Sequence, residues 1–494
     1  MKIVLINPPQ IYAKTWIAAG VTPPMGLLYL AASLKKSGHE PIIIDAVVEA
    51  SENTFKICNG IAGRGLNFTD IISRIPEDTV LVGITNLFSF AFPLVRELAR
   101  AIKNVHRSVP VALGGAHPSA TPLETVSDES IDCVVISEGD RTIVELVNNI
   151  HNYSVLRGVD GIAYKDEAGI PRVNPKTKFI EDIDTLPFPA RELVPFDKYY
   201  EIGKAHGPSQ SKWTPILSSR GCPYQCTFCT PKLWDRRYRM RTAENVLAEI
   251  EECVEKYGIR EFHFEDENFT VNKKRTIAIC RGIIEKKLKI RWQTPNGIRA
   301  SVTDEAMLDV MQEAGCHHIT FAPESGSERV LNEIIRKQQD LHKVTALVKH
   351  ASKIGLKTAA YFMGGLPGET IADVEKSISY AGKLARIGLD EIAFSRFVPL
   401  PGSELYDKLV SEGRFNTDWK SLISTGDLSE GKSWSEFISS DKLRKLRRKA
   451  YIIFYLSKIF YHPLKIIRSI INVLIRREEL KTERTLINWL RAKN

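Results

Sequence analysis

The sequence predicts an α/β protein built as a doubly wound, Rossmann-like parallel sheet, then a partial (β/α)6 barrel, then a helical C-terminal region. Three observations predict it. Short β-branched runs alternate with helix-like stretches over residues 1–150, and a second alternating series begins at Trp213. Between the first strand and first helix of that second series lies a cysteine-rich loop, GCPYQCTFC.

KIVLINPP reads as a strand, because its aliphatic run ends at two prolines that cannot continue a ladder. MGLLYLAASLKKSGH follows as an amphipathic helix, with Leu27, Leu28, Leu30 and Ala31 on its apolar side. PIIIDAV, TVLVGIT, VPVALGG and CVVISEGD are apolar enough for strands covered on both faces, with a helix near 92–104 between the second and third. Turn residues gather at the strand ends, at Pro8–Pro9, Gly114–Gly115 and Glu138–Gly139, where such a sheet binds its ligands. Residues 151–210, with DEAGIPR and DTLPFPAREL, lack helical periodicity and are expected to form a small hairpin and a linker across the two main domains. Over 211–410 the strands PILSSR, EFHFED, RWQTP, HITFAP, KTAAYFMGG and EIAFSRF alternate with helices such as 243–256, 273–286 and 371–386. That series suits a partial barrel with its chemistry at the C-terminal strand ends. Residues 411–494 complete the chain as the helical, basic region.

A chain of 494 residues exceeds what one core organises, and 43% apolar with 26% charged residues excludes a disordered chain, a fibre or a disulfide scaffold. No apolar run approaches the roughly 18 residues of a spanning helix, and the apolar start of MKIVLINPP is too short for a secretory signal. Eight cysteines then read as cytosolic thiols or metal ligands, so a cytoplasmic location is expected. The net charge of +9 is local: from Asp441 onward 15 Lys and Arg face 4 Asp and Glu, which leaves about −2 for residues 1–440. A nucleic-acid groove through the body is therefore not expected.

Cys222, Cys226 and Cys229 form a CxxxCxxC array, in which a short loop lets three sulfurs wrap one face of a cubane cluster. A fourth iron would then be open to a ligand, as a catalytic centre requires. The alternative is a zinc knuckle completed by His263 or another distant residue. The motif in its barrel context resembles the radical S-adenosylmethionine (SAM) enzymes. The resemblance implies that Cys222, Cys226 and Cys229 hold a [4Fe–4S] cluster whose free iron is chelated by SAM, and that Phe228 packs near the adenine. Reductive cleavage would give a 5′-deoxyadenosyl radical that abstracts a substrate hydrogen, with the electron arriving from an external flavodoxin- or ferredoxin-like donor. Asp266 and Glu267, in FEDENF, stand where the family meets the methionyl ammonium, although its GGE sequence is absent; capping of the next helix is their alternative role. Glu324 and Ser325, in FAPESGS, are candidates for the ribose or amino group, with capping again open to Ser325. Arg299, in PNGIRA, is a candidate partner for a cofactor or substrate carboxylate, or a structural ion-pair residue. GGLPGET and PLPGSEL offer backbone for close approach, or ordinary turns. The scattered Cys58, Cys133, Cys253, Cys280 and Cys316 read as buried small apolar residues, which disfavours the methylthiotransferase branch with its second cluster.

PPMGLLYLAASLKKSGH, ALGGAHPSATP and IDCVVISEGD resemble the cobalamin-binding domain that precedes the barrel in one radical SAM subgroup. The resemblance covers residues 1–150 and, with the barrel, extends to about 410. It implies that cobalamin lies on the strand ends, with Thr85, Gly114, Gly115 and Glu138 lining it. The cobalt-ligating DxHxxG of the mutases is absent, since NPPQIYAKTWIAAG has no histidine, and His117 reads as a surface or turn histidine.

The function expected is methylation of an unactivated carbon, with cobalamin delivering the methyl group and a second SAM replenishing it. A ring-forming or oxidative enzyme of the same subgroup is the alternative, and a redox or light sensor is the alternative class. The substrate is expected to be a small molecule or a lipid-like one. In the tail, Ile467, Ile470, Ile471 and Leu474 follow the break at Pro463 at i, i+3, i+4 and i+7, flanked by Lys465, Arg468, Arg476 and Arg477. Such a helix either lies on an anionic membrane surface or packs its stripe on the barrel. Few aromatic residues interleave the charges, so nucleic-acid binding is the least expected role.

Overall fold

The computed structural model describes residues 1–12, 20–58, 61–230, 233–416, 418, 423, 426 and 431–491. Half of the NPPQIYAKTWIAAG loop, residues 13–19, therefore lies outside the described residues. The chain divides into two compact units. The first comprises Met1–Lys204, Phe228–Arg237 and Pro399–Gly426; the second comprises Ala205–Thr227, Tyr238–Val398 and Asp427–Asn494.

In the first unit β1 (Lys2–Asn7), β2 (Glu40–Asp45), β3 (Thr79–Thr85), β4 (Val111–Gly114) and β5 (Cys133–Val135) run parallel in the order 2-1-3-4-5. Helix α1 (Met25–Lys36) joins β1 to β2, α2 (Phe92–Val105) joins β3 to β4, and α3 (Thr142–Asn149) follows β5. Alternation along β1 makes both cores: Val4 and Ile6 pack with Val95 and Leu98 on one face, Ile3 and Leu5 with Leu27 and Leu34 on the other. The order reverses between β1 and β3, so their C-terminal ends form the crevice where this topology takes a ligand. The hairpin expected after residue 151 exists, as β6 (Ile162–Lys165) and β7 (Pro171–Asn174), but it is not part of a linker. β6 pairs antiparallel with β5, and Ala163 is buried with the first core. The unit therefore runs to Lys204, well past the boundary at 150 that sequence periodicity suggests, because the antiparallel pair completes the sheet edge.

In the second unit β8 (Trp213–Ile216), β9 (Glu261–Phe264), β10 (Arg291–Ile298), β11 (Cys316–Glu324), β12 (Lys357–Gly364) and β13 (Glu391–Arg396) form one parallel sheet in sequence order. Between successive strands lie α4 (Ala243–Tyr257), α5 (Lys273–Glu285), α6 (Glu305–Glu313), α7 (Leu341–Lys353) and α8 (Ile371–Arg386). Trp292 meets Phe264 and Phe269 edge-on at centroid distances of 5.3 and 5.4 Å, a packing that aromatic quadrupoles favour. Cys253, Cys280 and Cys316 are buried in this core and Cys133 in the first unit's, as expected of small apolar residues.

The C-terminal helices are α9 (Ser440–Tyr461), α10 (Pro463–Leu474) and α11 (Lys481–Arg491). Leu443, Leu446, Ala450 and Phe454 fasten α9 to the barrel core. α10 is attached by its polar side. Lys465 Nζ meets Asp390 Oδ1 at 3.1 Å, Arg468 meets Glu479 at 2.7 Å, and the buried Asn472 donates to Glu483 at 3.1 Å. The stripe Ile467, Ile470, Ile471 and Leu474 consequently faces outward, and three of the basic residues expected to flank it, Lys465, Arg468 and Arg477, are paired with Asp390 and Glu479. Among the described residues no helix is long and apolar enough to cross a membrane.

Candidate active site

The cysteine loop leaves the barrel beyond β8 and is tied down by five sets of contacts within the second unit. Ser219–Arg220 pairs antiparallel with Arg239–Met240 at the loop's base. Asp266, just past β9, is 1% exposed and accepts the Ser218 amide at 2.7 Å and the hydroxyls of Ser218 and Ser219 at 2.6 Å each. Next to it, Glu267 Oε2 accepts the Gly221 amide at 3.1 Å. Neither acid caps the following helix; Asn272 does, taking the Arg275 amide at 3.0 Å. Arg299 lies over the Tyr224 ring, 3.6 Å from its centroid, and donates to Ser301 Oγ at 3.1 Å and to the Lys337 carbonyl. Thr227 donates its amide to Ile335 at 3.1 Å and its hydroxyl to Ile334 at 2.8 Å.

Phe228 is half-buried and Cys229 exposed, and both belong to the stretch assigned to the first unit. Burial pushes the Cys222 thiol up; Cys226 and Glu267 push the same way, against the Tyr224 amide and Arg299. Soft thiol donors at this spacing are a donor set for iron–sulfur chemistry. Among the described residues, no three His, Cys, Asp or Glu side chains are already gathered as an ion cage. Thiols have no mutual attraction, so drawing sulfurs together is work that the metal centre itself does.

Glu324 ends β11 with φ of +64°, a left-handed conformation costing about 1–3 kcal/mol in a non-glycine residue. Lys337 holds it there, with Nζ 2.8 Å from Glu324 Oε1 and 2.7 Å from the Ala322 carbonyl. Through Lys337 the carboxylate is linked to Arg299, two strand ends brought together by one loop. Ser325 is fully buried instead of open to a ligand: its Oγ stands 3.1 Å from Ser377 Oγ and accepts the Ser327 amide at 3.1 Å. Sequence reasoning missed Glu369, which it read only as part of a glycine turn. This carboxyl lies beyond the end of β12, fully buried, with Oε2 accepting the amides of Gly365 at 2.6 Å and Leu366 at 3.2 Å. Its Oε1 has no partner among the described residues, and burial raises its pKa to about 8.

In the first unit, Thr85 and Gly114 pair at the ends of β3 and β4. Gly115 has φ of +111°, and a Cβ there would come 2.6 Å from the Asn86 carbonyl oxygen. Asn86, another residue the sequence reading passed over, is 1% exposed, and neither side-chain atom has a partner among the described residues. His117 is buried, not at the surface: Phe92 covers its ring at 4.5 Å, and Nδ1 meets Ser89 Oγ at 3.0 Å. Burial lowers its pKa to about 4, and Nε2 is likewise without a partner. Glu138, expected to line the strand ends, is buried and accepts the Ile180 amide at 2.8 Å, so it anchors the chain after the hairpin. Buried polar atoms left open at strand ends fit a cofactor rich in amide groups, such as a corrinoid, because a buried donor or acceptor needs a hydrogen-bond partner.

Residues 216–381 match the radical SAM superfamily and residues 17–147 match the B12 binding domain. Over 486 residues the chain is 34% identical to an uncharacterized methyltransferase of Pyrococcus horikoshii, covering 96% of this chain and 98% of that one. The chain belongs to the cobalamin-dependent radical SAM methyltransferase family. The enzyme is also 30% identical to the cytidylyl-2-hydroxyethylphosphonate methyltransferase of Streptomyces wedmorensis, over 83% of this chain and 82% of that one. Its fold is shared with the radical SAM methyltransferase TsrM of Kitasatospora setae, solved with cobalamin and a [4Fe–4S] cluster, at a TM-score of 0.65, 19% identity and coverage of 83% and 75%. The enzyme's cofactors are accordingly a [4Fe–4S] cluster, SAM and cobalamin.

Proposed function

We propose that the enzyme methylates an unactivated carbon of a small, lipid-like molecule, receiving electrons from a flavodoxin- or ferredoxin-like donor in the cytoplasm. Peripheral membrane contact through the C-terminal helices would give it access to such substrates. The observation that carries methyl transfer is full-length similarity to a methyltransferase in a chain with both a fastened cysteine loop and open polar groups on the B12-type sheet. When bound, the cluster and SAM supply a 5′-deoxyadenosyl radical, and cobalamin supplies the methyl group.

The chain's own contribution is positioning. Cys222, Cys226 and Cys229 hold the cluster, with Phe228 beside the adenine. Glu267 and Arg299 fix the loop between Gly221 and Tyr224, so that the thiols start from a defined backbone. Glu324, strained and held by Lys337, is the carboxylate best placed to receive the ribose or amino group. Asp266 and Ser325 act from behind, since their polar atoms are engaged with the protein. On the other sheet Asn86 and His117 complete the set Thr85, Gly114 and Gly115 that receives cobalamin, with Glu138 anchoring the adjoining chain.

The deciding experiment is anaerobic turnover with reductant and cobalamin, counting both SAM products. Methylation by this route releases 5′-deoxyadenosine and S-adenosylhomocysteine in equal amounts. Cyclisation releases only the first, and a sensor releases neither beyond one equivalent.

A further inference from the structure

We infer that the outer face of α9 and α10 docks the enzyme on anionic lipid bilayers, with both helices lying in the plane of the interface. Twenty-six large apolar side chains of the described residues are exposed, and eleven of them fall between Ile452 and Ile475. On α9, Ile452, Leu456, Ile459 and Phe460 are spaced i, i+4, i+7 and i+8 along one side, and Tyr461 ends the helix. The stripe continues past Pro463 through Leu464, Ile467, Ile471 and Leu474. Exposure is greatest at and beyond the elbow, where Phe460, Leu464 and Leu474 are 79%, 77% and 74% exposed.

The orientation of α10 is what gives this face meaning. An amphipathic helix ordinarily buries its apolar side in its own protein. Here Lys465 pairs with Asp390 at the foot of β13, while Arg468 and Asn472, three and seven residues on, hold the helix to Glu479 and Glu483 at the start of α11, and the apolar side is left outward. A continuous patch of that kind marks an interaction surface.

Charge selects the occupant. Residues 442–477 contain 11 Lys and Arg and no Asp or Glu. Exposed Lys445 and Arg448 precede Ile452 on the same side of α9, and exposed Arg476 follows α10. A second copy meeting this face through a two-fold axis would bring basic rims together. Anionic head groups complement the rims while the apolar stripe enters the acyl boundary. Docking stands apart from which carbon is methylated, because vesicle binding is read without turnover.

The test is co-sedimentation of the full chain with vesicles of phosphatidylcholine alone and of phosphatidylcholine mixed with phosphatidylglycerol. Binding is expected on the mixed vesicles only, weakening as salt rises. Phe460→Glu with Leu464→Glu should reduce partitioning by roughly tenfold or more, and Lys445→Glu with Arg448→Glu should remove most of the salt dependence. These side chains are exposed, so an unchanged unfolding midpoint checks that each variant is folded. No binding to either vesicle, or equal binding by the Phe460/Leu464 variant, overturns the inference. So does a concentration-dependent dimer, seen by sedimentation velocity, that the same variant dissociates.

Discussion

The Arg299 guanidinium stacks 3.6 Å from the centroid of the Tyr224 ring, binding the end of β10 to the middle of the cysteine loop. The same guanidinium reaches the carbonyl of Lys337, whose ammonium group holds Glu324. One cation therefore sets both the cysteine loop and the strand-end carboxylate. Arg299→Ala should lower cluster retention and SAM cleavage together by about tenfold, the ordinary cost of losing a supporting contact behind a metal ligand. Iron content per chain after anaerobic reconstitution checks this; full iron with normal cleavage would count against it.

Replacement of Cys222, Cys226 or Cys229 by alanine should remove the cluster's absorption and bring SAM cleavage to background. The remaining buried cysteines cannot stand in, since Cys253, Cys280 and Cys316 are packed inside the barrel core. Cys280→Ser is the matching control and should keep its iron.

Gly115→Ala should destabilise the first unit by more than about 1 kcal/mol, because the residue sits at φ of +111° and the new Cβ meets the Asn86 carbonyl at 2.6 Å. Hydroxocobalamin binding, followed by its visible spectrum, should weaken in parallel. Gly26→Ala, in α1 with nothing within 4 Å of its Cβ, should instead stabilise by roughly 0.5–1 kcal/mol. Equal effects of the two substitutions on the unfolding midpoint would contradict this reading.

Acid should destabilise the enzyme through His117. Burial holds the folded imidazole near pKa 4, whereas the unfolded side chain takes its proton around 6.5. The unfolded state therefore binds the extra proton first, and stability falls between those pH values by an amount on the order of 3 kcal/mol. His117→Phe should remove this part of the pH dependence in denaturant titrations, and an unchanged slope would refute the assignment.

Glu369 works in the opposite sense. Its folded pKa of about 8 lies above the unfolded value of 4.5, so the folded state keeps a proton that the unfolded state has lost. Its contribution is full below pH 4.5 and declines as pH rises towards 8. Glu369→Gln, which is uncharged throughout, should flatten that decline and cost little at neutral pH. A large loss of stability at pH 7 would show that the carboxyl is ionised there.

The sequence by itself determined the two alternating β/α series, the position of the cysteine loop and the family resemblance, because these follow from local periodicity and short-range spacing. Strand positions such as Lys2–Asn7 and the helix Ile371–Arg386 are legible that way, since each is a run of one period bounded by turn residues. Tertiary structure alone decided which carboxylates face inward. Asp266 and Glu267 are neighbours in sequence, yet one is enclosed by two serines and the other reaches the Gly221 amide. Asn86 and Glu369 carried no spacing signal, because what singles them out is burial with a polar atom left open, a property of neighbours distant in sequence. The tail shows the same division: periodicity gives the apolar stripe of α10, but only the partners at Asp390, Glu479 and Glu483 decide that its polar side turns inward.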